Sequence, residues 1–191
     1  YAGESGLSYF SQMFVIIMMM FTSAASGYAA CVAMIRGILG EKLGNFFVDF
    51  IKIITRFLLP ASIIVGLLLV SQGVIQNFNS NILIKTIEGK NQELGAGPVA
   101  ALEAIKHLGT NGGGFFGANS STPFENPNII SNIIELITMM LLPGSCIFIF
   151  GKMAHDKFIK KSASGNEQIS EHTDKAMAKK VWLGKEGQSI F

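Results

Sequence analysis

The 191 residues carry 15 Lys and Arg against 13 Asp and Glu, only 15% of them are charged, and the mean hydropathy is +0.43. A formal charge of +2 offers nucleic acid no basic surface, and an ordinary soluble domain is excluded by that hydropathy together with an uneven spread of charge. Residues 5–35 and 57–84 contain no Asp, Glu, Lys or Arg at all. A hydrocarbon core about 30 Å thick is crossed by about 20 apolar residues of helix, so both runs are long enough to span. The first helix is expected over residues 12–35, with Met18, Met19 and Met20 as lipid-facing or packing surface rather than a metal site. Its small residues SAASG, 23–27, allow a neighbouring backbone to approach closely. The second is expected over 52–74 with Pro60 inside it, and the third over 129–150 with Glu135 near its start and Pro143 near its end. Each alone could be a buried core helix, but three in one short chain argue for spans; they are also too long and too numerous for a signal peptide.

Orientation follows from the basic residues. Arg36, Lys42, Lys52 and Arg56 lie around the first connection, and Lys152, Lys157, Lys160 and Lys161 open the tail, whereas the longer segment 75–128 holds only Lys85, Lys90 and Lys106. The positive-inside rule therefore puts the first connection and the tail on the cytoplasmic side, and the N-terminus and 75–128 outside. Cys31 and Cys146 both fall in apolar runs and read as free thiols among helices, while His107, His155 and His172 lack zinc-ligand spacing.

The outer segment carries the chemistry. Residues 77–97 are polar and read as irregular. Pro98 then suits a first helical position, where its missing N–H has no helical partner to lose. The helical pattern ends at Leu108 after about 11 residues, or about 16 Å, roughly half a bilayer. GTNGGGFF follows at 109–116. A helix C-terminus attracts a cation, and glycines let successive carbonyls turn toward one axis, which is what replacing the water shell of an alkali cation requires. The expected ion ligands are Thr110, Asn111, Gly112, Gly113 and Gly114. A flexible surface loop is the plainer reading of the glycines. A phosphate loop fails, since no strand precedes them and no Gly-Lys-Ser/Thr ends them. Glu135 is read either as part of an ion path or as facing headgroups or a neighbouring arginine. Glu125 and Asn126 read as braces of the loop or as helix caps ahead of Ile129.

GPVAALEAIKHLGTNGGGFFGANSSTPFENP, 97–127, resembles the second pore helix and filter of the potassium-binding A subunit of the bacterial Kdp potassium-transporting ATPase. GLSYFSQM (6–13), SAASG (23–27) and LGNFFVDF (43–50) resemble segments of that family in the same order, and the likeness covers about residues 1–152. The resemblance implies an all-α membrane protein with three transmembrane helices plus one re-entrant pore helix and filter loop, the helix-pore-helix repeat of the potassium-transporter superfamily. It divides the chain into 1–35, closing helix of a first repeat; 36–51, cytoplasmic connection; 52–152, second repeat with its filter; and 153–191, polar tail. It also implies a non-catalytic potassium-binding and translocating subunit in a multi-pass bacterial inner membrane. Its ligand is the transported potassium, and its partners are the catalytic P-type ATPase B subunit, the accessory C subunit and lipid. Third and fourth repeats of the family pattern are not found, so a truncated or internally deleted product, inactive in transport and serving only as packing, is the competing expectation. GKEGQSIF, 184–191, faintly resembles a family stretch outside the membrane. DKAMA, 174–178, lacks the threonines and glycine of a P-type phosphorylation motif. The tail around Lys179, Lys180 and Trp182 is read as an amphipathic segment at the inner surface.

Overall fold

The computed structural model describes residues 3–79 and 81–186, with side chains through 162. It comprises two compact units, Tyr1–Phe148 and Ile149–Phe191. Among the described residues, three helices are long and apolar enough to cross a membrane: α1, Ser11–Ile38; α2, Phe46–Ser71; and the stretch Ile129–Ser162. The last belongs to helix α4, Ile129–Glu186, of which Ile149 onward forms the second unit. Between α2 and α4 lie a hairpin of β1 (Asn81–Lys85) and β2 (Asn91–Gly95) and a ten-residue helix, α3, Val99–Leu108.

The chain reverses tightly between α1 and α2. Arg36, in the last turn of α1, pairs with Asp49 in the first turn of α2, and its Nη1 also donates to the Leu43 carbonyl at 3.0 Å. Each charge sits at the helix end that its sign favours. Asn45 caps α2, its side chain accepting from Val48 N at 3.2 Å. That cap is why α2 begins at Phe46, six residues before the start expected from hydropathy. Within α2, Ile54–Leu58 widens to a π-helical turn immediately before Pro60. Proline has no N–H to close a regular turn and its ring crowds the carbonyl four residues back, here Arg56, so a wider turn relieves both.

The segment 77–97 is not irregular throughout. β1 and β2 pair antiparallel from Asn81↔Gly95 to Lys85↔Asn91. The loop closes through Gly89 N donating to the Thr86 carbonyl (2.9 Å), with Gly89 at φ +80. This three-residue turn with a left-handed glycine holds the register. The all-α expectation is corrected to that extent. The third helix also runs past the expected end at Phe150. The expectations for Lys179, Lys180, Trp182 and 174–178 concern side chains outside the described residues, as does most of 184–191.

The core gathers around α3. Nine of its ten residues are buried, Ala101 alone being partly so. Its Ala100 and Ala104 face Gly66 of α2, where a Cβ would lie 3.8 Å from that of Ala104. Ala24 and Ala25 of α1 are buried on another side, so the small residues 23–27 permit the expected close approach. Met18 and Met19 are exposed and Met20 is buried, which divides the methionine run between outward surface and packing.

Candidate ion site

The half-length helix starts level with the end of α2. Ala100 N donates to the Ile75 carbonyl (3.0 Å), Ala101 N to Gln76 Oε1 (3.0 Å), and Asn77 N to the Gly97 carbonyl (3.1 Å). Its other end reaches the middle of α1: Asn111 Nδ2 donates to Ser23 Oγ, and a Cβ at Gly109 would lie 2.9 Å from that of Ala24. From there the chain returns to its starting level, because Asn128 Nδ2, just before α4, donates to the Gln72 carbonyl at the end of α2 (3.0 Å). Asn128 also caps α4, its Oδ1 accepting from Ser131 N at 2.9 Å.

All five expected ligand residues lie together at the tip of this excursion. The backbone is left-handed at Thr110 (φ +54), Gly112 (+78), Gly113 (+86) and Gly114 (+92), conformations that glycine adopts without Cβ strain. Thr110 N and Asn111 N close the end of α3 on the carbonyls of His107 (3.2 Å) and Lys106 (3.0 Å). The Gly113 carbonyl accepts from Asn119 N (2.6 Å) and that of Gly114 from Gly117 N (3.3 Å). Among the described residues, no backbone N–H donates to the carbonyls of Thr110, Asn111 or Gly112. Thr110 and Asn111 line a cavity of about 350 Å³ with Ser23, Gly27, Tyr28 and Pro143.

Behind the tip is a buried polar network whose principal members were not singled out from the sequence. Glu103, Lys106 and His107 stand at i, i+3 and i+4 on one face of α3, and all three are buried. Lys106 Nζ lies 2.6 Å from Glu103 Oε2 and also bonds Ser120 Oγ, which donates to Glu103 Oε2 at 2.6 Å. His107 Nε2 meets Ser120 Oγ at 2.9 Å, Glu103 at 3.4 Å and Glu135 of α4 at 3.3 Å. Glu135 is therefore neither at headgroups nor beside an arginine; it is 3% exposed and pairs with His107. Glu125 braces the loop, accepting from Phe116 N (3.0 Å), Ser120 N (3.2 Å) and Thr122 Oγ1 (3.2 Å). Burial first, and then the adjacent Glu103 carboxylate, push the Glu125 carboxyl up to about 7. Asn126 turns the other way, to Ser131 and Asn132 at the start of α4.

Glu103, His107 and Glu135 bring three ligand atoms within 4.8 Å of one another. The Lys106 ammonium already occupies the Glu103 oxygen in that group, so the arrangement is an ion-paired network, with two bases facing two acids. The pairing also answers an electrostatic difficulty. Lys106 sits beside the helix end that would attract a cation, and Glu103 cancels its charge there. The signal that could have found these residues was present: a carboxylate in an apolar helix, Glu135, requires a buried basic partner, and α3 carries two.

A family model, that of the potassium-transporting ATPase A subunit, matches residues 1–163. The potassium-transporting ATPase potassium-binding subunit of Staphylococcus haemolyticus (strain JCSC1435) is 55% identical over 159 residues, covering 82% of this chain and 28% of that protein. Subunit 2 of Staphylococcus aureus (strain N315) is 55% identical over 159 residues, with the same coverage of each chain, 82% and 28%. Subunit 1 of Staphylococcus aureus (strain MRSA252) is 52% identical over 167 residues, 85% of this chain and 30% of that protein. The chain thus spans less than a third of the length of these curated relatives.

Proposed function

The chain belongs to the potassium-transporting ATPase A subunit family, and from that premise we propose that it contributes one wall of a potassium filter to an ATP-driven importer in the bacterial inner membrane. In this reading α3 is a re-entrant pore helix entering from the outer side, and Thr110 to Gly114 are the filter stretch. The role is non-catalytic; ATP hydrolysis falls to a P-type B subunit, with an accessory C subunit completing the complex.

One observation carries the reading: a buried half-length helix ends beside the middle of a membrane span, in a run of left-handed residues. Backbone without helical hydrogen bonds is tolerated at that depth only where protein or a water-filled path surrounds it. The carbonyls of Thr110, Asn111 and Gly112, which no described backbone N–H engages, suit lining such a path. The α3 C-terminus adds partial negative charge directed at the same place. The Gly113 and Gly114 carbonyls are drawn into the loop's own turns, so these two glycines serve chiefly to bend the chain. One loop supplies oxygens from one side, and a cage that strips potassium of water needs them from several.

The test is rubidium uptake, with potassium-over-sodium preference, by a complete complex carrying this sequence. Gly113→Ala is expected to lower uptake or selectivity at least about tenfold, corresponding to about 1.4 kcal/mol. Gly89→Ala, with a similar φ of +80 and nothing within 4 Å of its Cβ, should leave both unchanged. Equal effects of the two substitutions would refute the filter reading.

A further inference from the structure

The sequence contains two cysteines, and the fold brings them together. Cys31, in the last third of α1, and Cys146, in α4, line the same 350 Å³ cavity, whose other end is formed by Thr110 and Asn111. Both side chains are half-buried and line it from opposing helices. One turn from Cys31, Tyr28 meets Ser145 of α4 across 3.5 Å (Oη to Oγ), which ties the two helices next to the thiols. Ala24, Gly27 and Pro143 line the cavity with small or receding side chains and leave it open.

We infer that Cys31 and Cys146 form a two-thiolate site for a soft, thiophilic cation, of the class of cuprous, silver or mercuric ion, bridging α1 and α4 beneath the Thr110 end of the loop. Soft ions select sulfur, whereas potassium is a hard ion suited to oxygen, so the site is chemically separate from the proposed filter. On binding, two S–H bonds break and two sulfur–metal bonds form. Both protons leave through the cavity to water, and no electrons change hands. A metal bridge makes looser geometric demands than a disulfide. It spans sulfurs well beyond the roughly 2 Å of an S–S bond and does not demand that bond's narrow Cβ geometry. The second thiol acts intramolecularly, so two together should hold an ion about 100-fold or more tightly than either alone.

The probe is mercuric ion added to the reduced full chain in detergent micelles, followed by free-thiol titration and near-ultraviolet thiolate–mercury absorption. One ion per monomeric chain should consume both thiols. Cys31→Ser and Cys146→Ser should each release the ion to a competing monothiol at least about 100-fold more readily. Two ions per chain, one on each sulfur, or bridging only between chains, would overturn the inference from the unaltered protein, whatever the variants do. Retention by either single variant equal to that of the parent would overturn it as well. Neither readout involves potassium, so failure here and failure of the filter reading are separately visible.

Discussion

Replacing Gly114 with alanine tests whether the buried carboxylates grip the loop. Gly114 has φ +92, and Gly73, at the end of α2, has φ +98. A Cβ in that region costs about 1–2 kcal/mol at either position. At Gly73 nothing lies within 4 Å of the added carbon, so strain is the whole cost. At Gly114 the carbon would fall 2.8 Å from Glu125 Oε1 and would also collide with Glu103 Oε1. Neither carboxylate can retreat freely: Glu125 is held by Phe116 N, Ser120 N and Thr122, and Glu103 by Lys106 and Ser120. Displacing either leaves buried polar groups unpaired at about 1–3 kcal/mol each. Gly114→Ala should therefore destabilise by about 3 kcal/mol more than Gly73→Ala, one such loss on each side of the new methyl group. Reversible unfolding by titrating dodecyl sulfate into mixed micelles, followed by circular dichroism, measures the difference. Equal destabilisation of the two variants would show that the network yields at no cost and does not hold the loop.

Lys106→Met should destabilise by about 3–5 kcal/mol in the same assay, because Glu103 is left buried without its ammonium; adding Glu103→Gln should recover much of that, and no recovery would deny the pairing. Glu125 gives a pH signature. Its folded value of about 7 lies above the ordinary 4.5, so the folded chain keeps a proton that the unfolded chain releases. Its contribution to stability is full below 4.5 and is lost as pH rises toward about 7, with Glu103 and Lys106 as the charges facing it. Glu125→Gln should flatten that part of the stability–pH curve, and an unchanged slope would reject the assignment. Single cysteines at Asn91 and Glu41, in a chain with Cys31 and Cys146 changed to serine, should react with an impermeant maleimide from opposite faces of sealed vesicles. Reaction from one face would mean that α2 does not cross.

Much of this protein is decided within short windows of sequence. Uncharged runs at 5–35 and 57–84 and the apolar run from 129 announce the three spanning helices, because spanning length and hydropathy are local properties. Pro98 and Gly109 bracket α3 for equally local reasons: the observed helix ends at Leu108 as expected and starts one residue late, at Val99, with Pro98 as the N-cap instead of the first helical residue. The GTNGGG run marks the turn at its tip because only the residues themselves set which backbone angles are open. Boundaries depending on a single side-chain bond were less legible: the Asn45 cap lengthens α2, and the Gly89 turn makes a hairpin of a segment that reads as loop. The fate of the charges was settled only by tertiary structure. Glu103, Lys106 and His107 carried no assigned role in the sequence, and Glu135 read as a carboxylate near an interface or on an ion path. Their burial is tolerable because Ser120 and Glu135, distant in sequence, arrive at the same point in space. Hydropathy is summed along the chain, whereas the cost of a buried charge depends on which partners the fold brings within about 3 Å of it.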